Sequence, residues 1–206
     1  AVGSVYDSGD YEQTLEKALE MVEYDRLREK QARLREEEDR YIGIGISCFI
    51  ESGGLAPSSV SELLGMAQPD ATVQSSFWES STVRVHESGE VTVYVGTSSP
   101  GTGIKTTHSQ IIADQLGVDI DDISIHEGKD TERAPDGTGS IGSRSGPVGG
   151  GSLKQSVDKV IKKSKRIVAH ELEAPVGDIE FDDGEFFVAG DPSQSMALTD
   201  VAVESR

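Results

Sequence analysis

The 206-residue sequence predicts an α+β fold with a mixed sheet, hairpins and flanking helices. Two segments alternate apolar and other residues around short turns, at Ser88-Gly89 and at Asp183-Gly184, and predict β-hairpins. Segments with helical periodicity are interleaved with these strands. Because hairpins imply antiparallel pairing and the helices separate other strands, the order favours a mixed sheet with flanking helices.

The first 50 residues predict helical structure and then a strand. Asp10 is a candidate N-cap for a helix over residues 11–24, which continues through the charged residues 25–40. Residues 41–52 alternate isoleucine with other residues, which predicts a strand with one apolar face. Gly43 and Gly45 on its other face indicate close approach of a ligand or backbone, or a glycine packed under a helix. Residues 52–59 are rich in turn formers and predict a loop.

The remaining elements follow the same rules. Residues 104–118 predict a helix ended by Gly117, and residues 122–128 a short strand. Residues 152–174 predict a long amphipathic helix that Pro175 stops, and residues 197–206 begin another. We expect residues 1–40 to be a helical lead-in and residues 41–206 a partial domain that continues beyond both ends.

Composition excludes several classes of function. The net charge of −18, from 37 acidic and 19 basic residues, argues against nonspecific nucleic-acid binding. A salt-adapted source is one explanation of this acidity, and an ordinary acidic protein is the other. With a single cysteine, Cys48, no internal disulfide forms, which fits a reducing compartment. We find no apolar run of about 18 residues and no signal-peptide pattern, so a cytoplasmic location is expected.

A glycine-rich stretch over residues 137–151 contains the literal pattern G-x-G-x-x-G. A Rossmann loop would follow a buried strand and open a helix directly, but the preceding residues are polar and no helix is expected before about Pro147. A P-loop is excluded because no Gly-Lys-Ser/Thr follows. A flexible connector remains one interpretation. The other is an anion cradle at a helix N-terminus, with Ser140, Ser143, Arg144 and Ser145 as donors.

A second stretch, residues 98–107, has the same design. Gly101 and Gly103 precede a helix, while Thr102, Thr106 and Thr107 supply hydroxyls and Lys105 a charge. Two such loops could grip one extended anionic ligand, such as a phosphorylated or pterin-like cofactor. For His108, on the same helix, a surface or capping role is favoured over one facing a cofactor.

Several segments in order resemble the molybdenum-binding large subunit of the xanthine dehydrogenase and aldehyde oxidase family, in its carbon monoxide dehydrogenase-like branch. They are YIGIGISCFIESGGLAPS, STVRVHESGEVTVYVGTSSPGTGIKTTHSQIIADQLGV and DISIHEGKDTERAPDGTGSIGSRS. The resemblance implies that both loops bind molybdopterin. The family's second loop reads Gly-Ser-Arg-Ser, as residues 142–145 do. Its first reads Gln-Gly-Gln-Gly, where this chain has Pro100 and Thr102 in place of the glutamines. A threonine replaces one amide hydrogen bond but not both.

The resemblance also implies an activity, cofactors and partners. It implies a molybdenum hydroxylase that acts on an aldehyde, a purine, carbon monoxide or another small molecule. The cofactor would be molybdopterin with molybdenum, in many members as the cytosine dinucleotide. Iron–sulfur and FAD-containing subunits are the implied partners. The family's catalytic glutamate and substrate loop are expected outside residues 1–206. A non-catalytic scaffold that retains the fold is the alternative.

Overall fold

The computed structural model describes residues 8–51, 53–65, 77–128, 132–133 and 136–205. The chain divides into two compact units, Ala1–Ile50 and Glu51–Arg206. Among the described residues there are helices and two small sheets, so the predicted α+β class is confirmed. No helix of the described residues is long and apolar enough to cross a membrane.

The first unit contains two helices, α1 (Tyr11–Met21) and α2 (Tyr24–Glu37). The Asp10 side chain accepts a hydrogen bond from Gln13 N at 2.9 Å, which confirms the predicted N-cap. The predicted single helix is interrupted at Glu23, whose φ of 49° lies in the left-handed region. A non-glycine residue in that region cannot continue a right-handed helix, so a second helix begins after it.

The strand predicted over residues 41–52 is not present in the described residues. Residues 41–50 form no strand, and the Phe49 and Ile50 side chains are exposed. A strand requires a neighbour to hydrogen-bond its backbone, and the other described elements of this unit are helices. A Cβ added at Gly43 or Gly45 would meet no protein atom within 4 Å, so neither glycine is packed against a helix or another backbone among the described residues.

The first sheet of the second unit is mixed, as predicted. Strands β1 (Ser81–Val85) and β2 (Val91–Val95) form the predicted antiparallel hairpin, with Val83 opposite Val93. Strand β3 (Ile123–His126) pairs with β2 in parallel. A parallel neighbour requires a crossover, and helix α4 (Ile104–Leu116), ended by Gly117 as predicted, lies between β2 and β3 in the chain.

Much of the core lies between this sheet and two helices, α4 and α5 (Gly150–Glu171), and it continues to Ile179, Phe186 and Leu198 further along the chain. The apolar side chains of β2 are fully buried, as are Leu153 and Val157 on α5. At about 1.5–3 kcal/mol for each buried apolar side chain, this core fixes the two helix N-termini relative to the sheet. The residues that carry both glycine loops are therefore anchored at their ends.

A second, antiparallel sheet follows α5. It contains β4 (Ile179–Asp182) and β5 (Glu185–Val188), the predicted hairpin, and β6 (Asp191–Ala197), which was not predicted. The predicted C-terminal helix is α6 (Leu198–Glu204). Helix α3 (Pro57–Leu63) occupies part of the segment that was predicted to be a loop, because Pro57 is at the first helical position, where proline is favoured.

Candidate functional site

The first glycine loop, residues 98–107, presents open backbone. Gly101 and Gly103 have φ values of 106° and 74°, a region that glycine adopts without a steric penalty. A Cβ added at either glycine would meet no atom within 4 Å, and both residues and Thr102 are exposed. The surface above these residues can therefore receive a ligand at van der Waals distance from the backbone.

The N-terminus of α4 lies in this loop. Gly103 is its N-cap and has no side chain that could cap the helix. The Thr107 N–H donates to the Gly103 carbonyl at 3.0 Å, and the Thr107 hydroxyl donates to the same oxygen at 3.2 Å. The N–H groups of residues 104–106 precede this first intrahelical bond, and they give the helix end its partial positive charge. An anion is the ligand that such an end favours.

Two hydrogen bonds hold the beginning of the first loop beside the end of β3. Ser99 N donates to the Glu127 carboxylate at 2.6 Å. Gly128 N donates to the Thr97 carbonyl at 3.1 Å. The loop is therefore fixed at its base, whereas its glycines are exposed.

The second glycine loop, residues 137–145, turns through two successive left-handed residues, Gly142 at φ 49° and Ser143 at φ 51°. A Cβ at Gly142 would overlap the Leu55 side chain, with Cγ at 2.8 Å, so glycine is required by space as well as by conformation. The Ser143 hydroxyl donates to Glu51 at 2.8 Å, and Gly54 N donates to the Ser143 carbonyl at 3.2 Å. This turn is packed against Glu51, Gly54 and Leu55.

Arg144 is fully buried beneath this turn. An arginine side chain has five N–H donors, and here each of the five has an acceptor within the protein. The Nε group donates to the Leu55 carbonyl at 2.8 Å. The remaining four donate to Glu79 Oε2 at 2.8 Å and to the carbonyls of Gly139, Phe77 and Trp78 at 2.6, 2.9 and 3.0 Å.

The two loops meet at the Ser140 hydroxyl. This hydroxyl accepts from Ser98 N at 2.9 Å and donates to the Ser98 carbonyl at 2.6 Å. It also accepts from the Ser145 hydroxyl at 2.7 Å. Because Ser98 belongs to the first loop and both Ser140 and Ser145 to the second, the two loops are in direct contact.

His108 makes a second connection between the loops, and the predicted surface or capping role is wrong. Its ring is fully buried, and Nε2 lies 3.1 Å from the Ser145 carbonyl. Burial lowers the pKa of His108 below its ordinary 6.5, although the Ser145 carbonyl and the nearby Glu127 and Glu79 oppose this. A neutral ring that donates Nε2–H to the carbonyl fits this contact. Among the described residues, His108 Nδ1 and Thr97 Oγ1 are buried without a hydrogen-bond partner.

The glycines after the second loop are helical, which argues against a flexible connector. Residues Ser145–Gly149 form a π-helical turn that runs directly into α5, so helical structure begins earlier than the expected position at about Pro147. Added Cβ atoms would lie 3.0 Å from Thr97 Cγ2 at Gly149 and 3.0 Å from Ile111 Cδ1 at Gly150. These glycines allow close packing of α5 against α4 and the end of β2.

Two further observations concern the rest of the described residues. No cluster of three or more His, Cys, Asp or Glu residues there could hold a metal ion. A groove of about 710 Å³ lies between β1, α5 and α6. None of the predicted site residues lines that groove.

Comparison with known proteins places the chain in a family. Residues 17–205 match the family of molybdopterin cofactor-binding domains. The chain is 38% identical over 98% of its length to the carbon monoxide dehydrogenase large chain of Afipia carboxidovorans. It is 33% identical, over 98% of its length, to the nicotine 6-hydroxylase large subunit of Paenarthrobacter nicotinovorans. The chain belongs to the molybdopterin cofactor-binding domain family.

Solved structures agree with this assignment. The Cu,Mo-CO dehydrogenase structure in its carbon monoxide-reduced state matches 96% of the chain with a TM-score of 0.64 and 38% identity. Quinoline 2-oxidoreductase from Pseudomonas putida 86 matches 97% with a TM-score of 0.62 and 34% identity. The chain spans 24% of the Afipia relative and 23% of the Paenarthrobacter relative.

The structure therefore brings the two loops that carry the predicted site residues into contact through Ser98–Ser140 and His108–Ser145, and it places these residues in two environments. The first-loop residues Gly101, Thr102, Gly103, Thr106 and Thr107 are exposed. In the second loop Ser143 is exposed, whereas Arg144 and Ser145 are buried. Sequence reasoning missed the buried contacts of Glu79, His108 and Ser98. For Glu79, the only sequence signal was that it is an acidic residue next to Trp78, at the start of a predicted hairpin.

Proposed function

We propose that this chain supplies the loops that hold the phosphorylated part of molybdopterin in a molybdopterin-dependent hydroxylase or dehydrogenase. One observation carries the proposal: the loop that begins α4, with Gly103 as its N-cap, is hydrogen-bonded to the second loop through Ser140. The residues proposed to form the cofactor site are Gly101, Thr102, Gly103, Thr106, Thr107, Gly142, Ser143, Arg144 and Ser145, of which buried Arg144 and Ser145 act from beneath the second loop.

The residues present fit a phosphorylated group. Open glycine backbone at residues 101 and 103 allows a ligand oxygen to approach the N–H groups of the first turn of α4. Thr102 and Thr106 are exposed and can donate hydroxyl hydrogens, and exposed Lys105 adds a positive charge. The chain as a whole is strongly acidic and would repel a phosphate. The helix N–H groups, the two hydroxyls and Lys105 provide positive charge and hydrogen-bond donors at the place where the phosphate would lie.

Each loop has its own task in this proposal. The first loop binds the anionic oxygens through backbone N–H groups and hydroxyls. The second loop sets the opposite wall, where exposed Ser143 contacts the ligand and buried Arg144 and Ser145 hold the wall in place. The molybdenum held by the pterin would supply the oxidative chemistry. The residues of this chain bind and orient the group and carry no proton-transfer step.

The first loop departs from the resemblance at Pro100 and Thr102, which stand where the family has glutamines. The Thr102 hydroxyl supplies one donor at an exposed position. Proline has no backbone N–H, so position 100 contributes no donor. We infer that this chain binds its cofactor mainly through backbone N–H groups and hydroxyls rather than through side-chain amides.

The proposal for the complete protein is broader. Its substrate would be a small molecule such as an aldehyde, a purine or carbon monoxide, and its cofactor molybdopterin with molybdenum, in the cytosine dinucleotide form. Relatives are named as a large chain, a large subunit and a subunit of a dehydrogenase complex. These names support partner subunits, for which we propose an iron–sulfur protein and an FAD protein. We propose a cytoplasmic location, no nucleic-acid partner and no membrane partner.

The proposal is tested on the complete protein that carries this chain, purified from cells that make molybdopterin. We expect about one molybdenum and one pterin per polypeptide, measured by elemental analysis and by fluorescence of the oxidised pterin. The Thr102→Ala/Thr106→Ala variant should retain less cofactor, while Thr82→Ala, an exposed threonine on β1, serves as the control. Absence of pterin from the wild-type protein would contradict the proposal.

A non-catalytic scaffold is the second candidate, and the replacement of both family glutamines at positions 100 and 102 favours it. The two candidates differ in turnover. A protein that holds the cofactor and oxidises none of the aldehydes, purines or carbon monoxide offered would support the scaffold. Oxidation of any of them would support the enzyme.

A further inference from the structure

Arg144 belongs to the loop that matches the family's Gly-Ser-Arg-Ser, and by sequence it is a candidate ligand for an anion. Its burial argues otherwise. The side chain is fully buried, and all five of its N–H groups already donate within the protein. An anion could bind to this guanidinium only by breaking existing hydrogen bonds to buried acceptors, which is costly.

Glu79 is the charge that balances Arg144. The Arg144 Nη1–Glu79 Oε2 distance is 2.8 Å, and both side chains have no exposed surface. Glu79 Oε2 also accepts from Gly139 N at 3.2 Å, and Oε1 accepts from Ser80 N at 3.3 Å. A buried ion pair is stable only when further hydrogen bonds satisfy both partners, and that condition is met here.

The pair connects three separate segments of the chain. Arg144 reaches the carbonyls of Leu55, Phe77 and Trp78, and both partners bind Gly139 in the second loop. The Glu79 carboxylate also packs directly against Gly137, where an added Cβ would overlap it. This pair of charges therefore holds residues 137–145 against two other segments, in addition to the contacts of Ser140, Ser143 and Ser145.

We propose that Glu79 and Arg144 are positioning residues, which shape the second loop for its ligand without touching that ligand. This inference rests on the proposed function, because it assigns Arg144 its role within the same site. It predicts that removal of the Glu79 carboxylate weakens anion binding, although that carboxylate itself repels an anion. If Arg144 contacted the anion directly, removal of the Glu79 carboxylate would leave anion binding unchanged or make it tighter.

The experiment uses the complete protein in its cofactor-free form, with inorganic pyrophosphate as the probe. Its affinity is measured by calorimetry for Glu79→Gln, Arg144→Gln, Arg144→Lys and the double variant Glu79→Gln/Arg144→Gln. Arg166→Gln, at an exposed arginine on α5, is the matched control. Amide hydrogen exchange of residues 137–145 is followed in the same proteins.

We expect Glu79→Gln and Arg144→Gln to weaken pyrophosphate binding alike, by about 10-fold to 100-fold, as residues that orient a ligand-binding group do. Lysine at position 144 should not restore binding, because an ammonium lacks the planar fork that reaches these acceptors. Exchange should rise in residues 137–145 and stay unchanged in α4. The double variant should melt at a higher temperature than Arg144→Gln, because no buried charge is left unpaired.

Three results would overturn the inference. Unchanged or tighter pyrophosphate binding in Glu79→Gln, together with loss in Arg144→Gln, would make Arg144 a direct ligand. Restored pyrophosphate binding in Arg144→Lys would also indicate that the residue at position 144 contacts the anion directly. A double variant no more stable than Arg144→Gln would show that the two charges are not coupled. Failure of the wild-type protein to bind pyrophosphate would instead count against the proposed function, since the exchange and melting comparisons do not depend on the ligand.

Discussion

In the first glycine loop a Cβ added at Gly101 or Gly103 would meet no atom within 4 Å, whereas in the second loop a Cβ at Gly142 would overlap Leu55. All three residues have positive φ. The first loop uses glycine to leave its backbone open toward solvent. The second uses glycine to pack its backbone tightly against Leu55.

The polar side chains differ in the same way. In the first loop Thr102 and Thr106 are exposed, with hydroxyls available to a ligand. In the second loop Arg144 and the Ser145 hydroxyl are buried, and both are hydrogen-bonded within the protein. A binding site for a large anionic cofactor needs donors that can reach the ligand and a rigid frame that holds them. These two loops divide those tasks between them.

The largest expected effect comes from the same substitution made in both loops. Gly103→Ala should cost about 1–2 kcal/mol of unfolding free energy, because alanine is strained in the left-handed region. Gly142→Ala adds the overlap with Leu55, worth a further ~1–3 kcal/mol for an overpacked site. Urea denaturation of the complete protein measures both, and equal losses would contradict the contrast between an open and a packed loop.

Acid should weaken the connection through His108. Burial lowers the pKa of His108 in the folded protein below 6.5, so the unfolded chain binds the proton more tightly. Stability is therefore complete above about pH 6.5 and falls as the pH drops from there toward the lowered pKa, with a slope of up to ~1.4 kcal/mol per pH unit. Urea denaturation at a series of pH values measures the slope.

In the His108→Gln variant, the free energy of unfolding should no longer show the part of its decrease below pH 6.5 that the His108 ring causes. His170→Gln, at an exposed histidine at the end of α5, should leave it in place. If His108→Gln declines as steeply as the wild-type protein, the buried imidazole is not the group responsible.

The smallest expected effect on stability lies in the first loop. Thr106→Ala removes an exposed hydroxyl and should change the unfolding free energy by less than about 0.5 kcal/mol. Its pyrophosphate affinity should fall by about 1 kcal/mol, or roughly fivefold, the value of one hydrogen bond. Thr106→Ser keeps the hydroxyl and should retain the affinity. Calorimetry that shows equal affinities for the alanine and serine variants would remove Thr106 from the site.

Local patterns predicted much of this fold. Asp10 begins a helix because its side chain satisfies Gln13 N, a contact three residues away. The hairpins at Ser88-Gly89 and Asp183-Gly184, and the end of α4 at Gly117, also depend on short-range turn chemistry. The positions of the two glycine loops, each at the beginning of a helix, follow from the same signals.

Long-range contacts were not predictable in this way. Residues 41–50 have the alternation of a strand, but alternation supplies no pairing partner. Strand β6 is mostly polar and exposed, so it has no apolar alternation to detect. Four of the five acceptors of Arg144 belong to Leu55, Phe77, Trp78 and Glu79, which are at least 65 residues away in sequence, and the fifth is the nearby Gly139. His108 likewise bonds a residue 37 positions away.

The central claim is that both loops hold one phosphorylated cofactor, the first by contact and the second as a frame. The most direct measurement is a crystal structure of the complete protein with its cofactor bound. We predict a phosphate oxygen within about 2.7–3.2 Å of backbone N–H groups in residues 101–106, with the second loop against the same cofactor and the Glu79–Arg144 pair intact beneath it. A cofactor phosphate bound to residues outside both loops would contradict the claim.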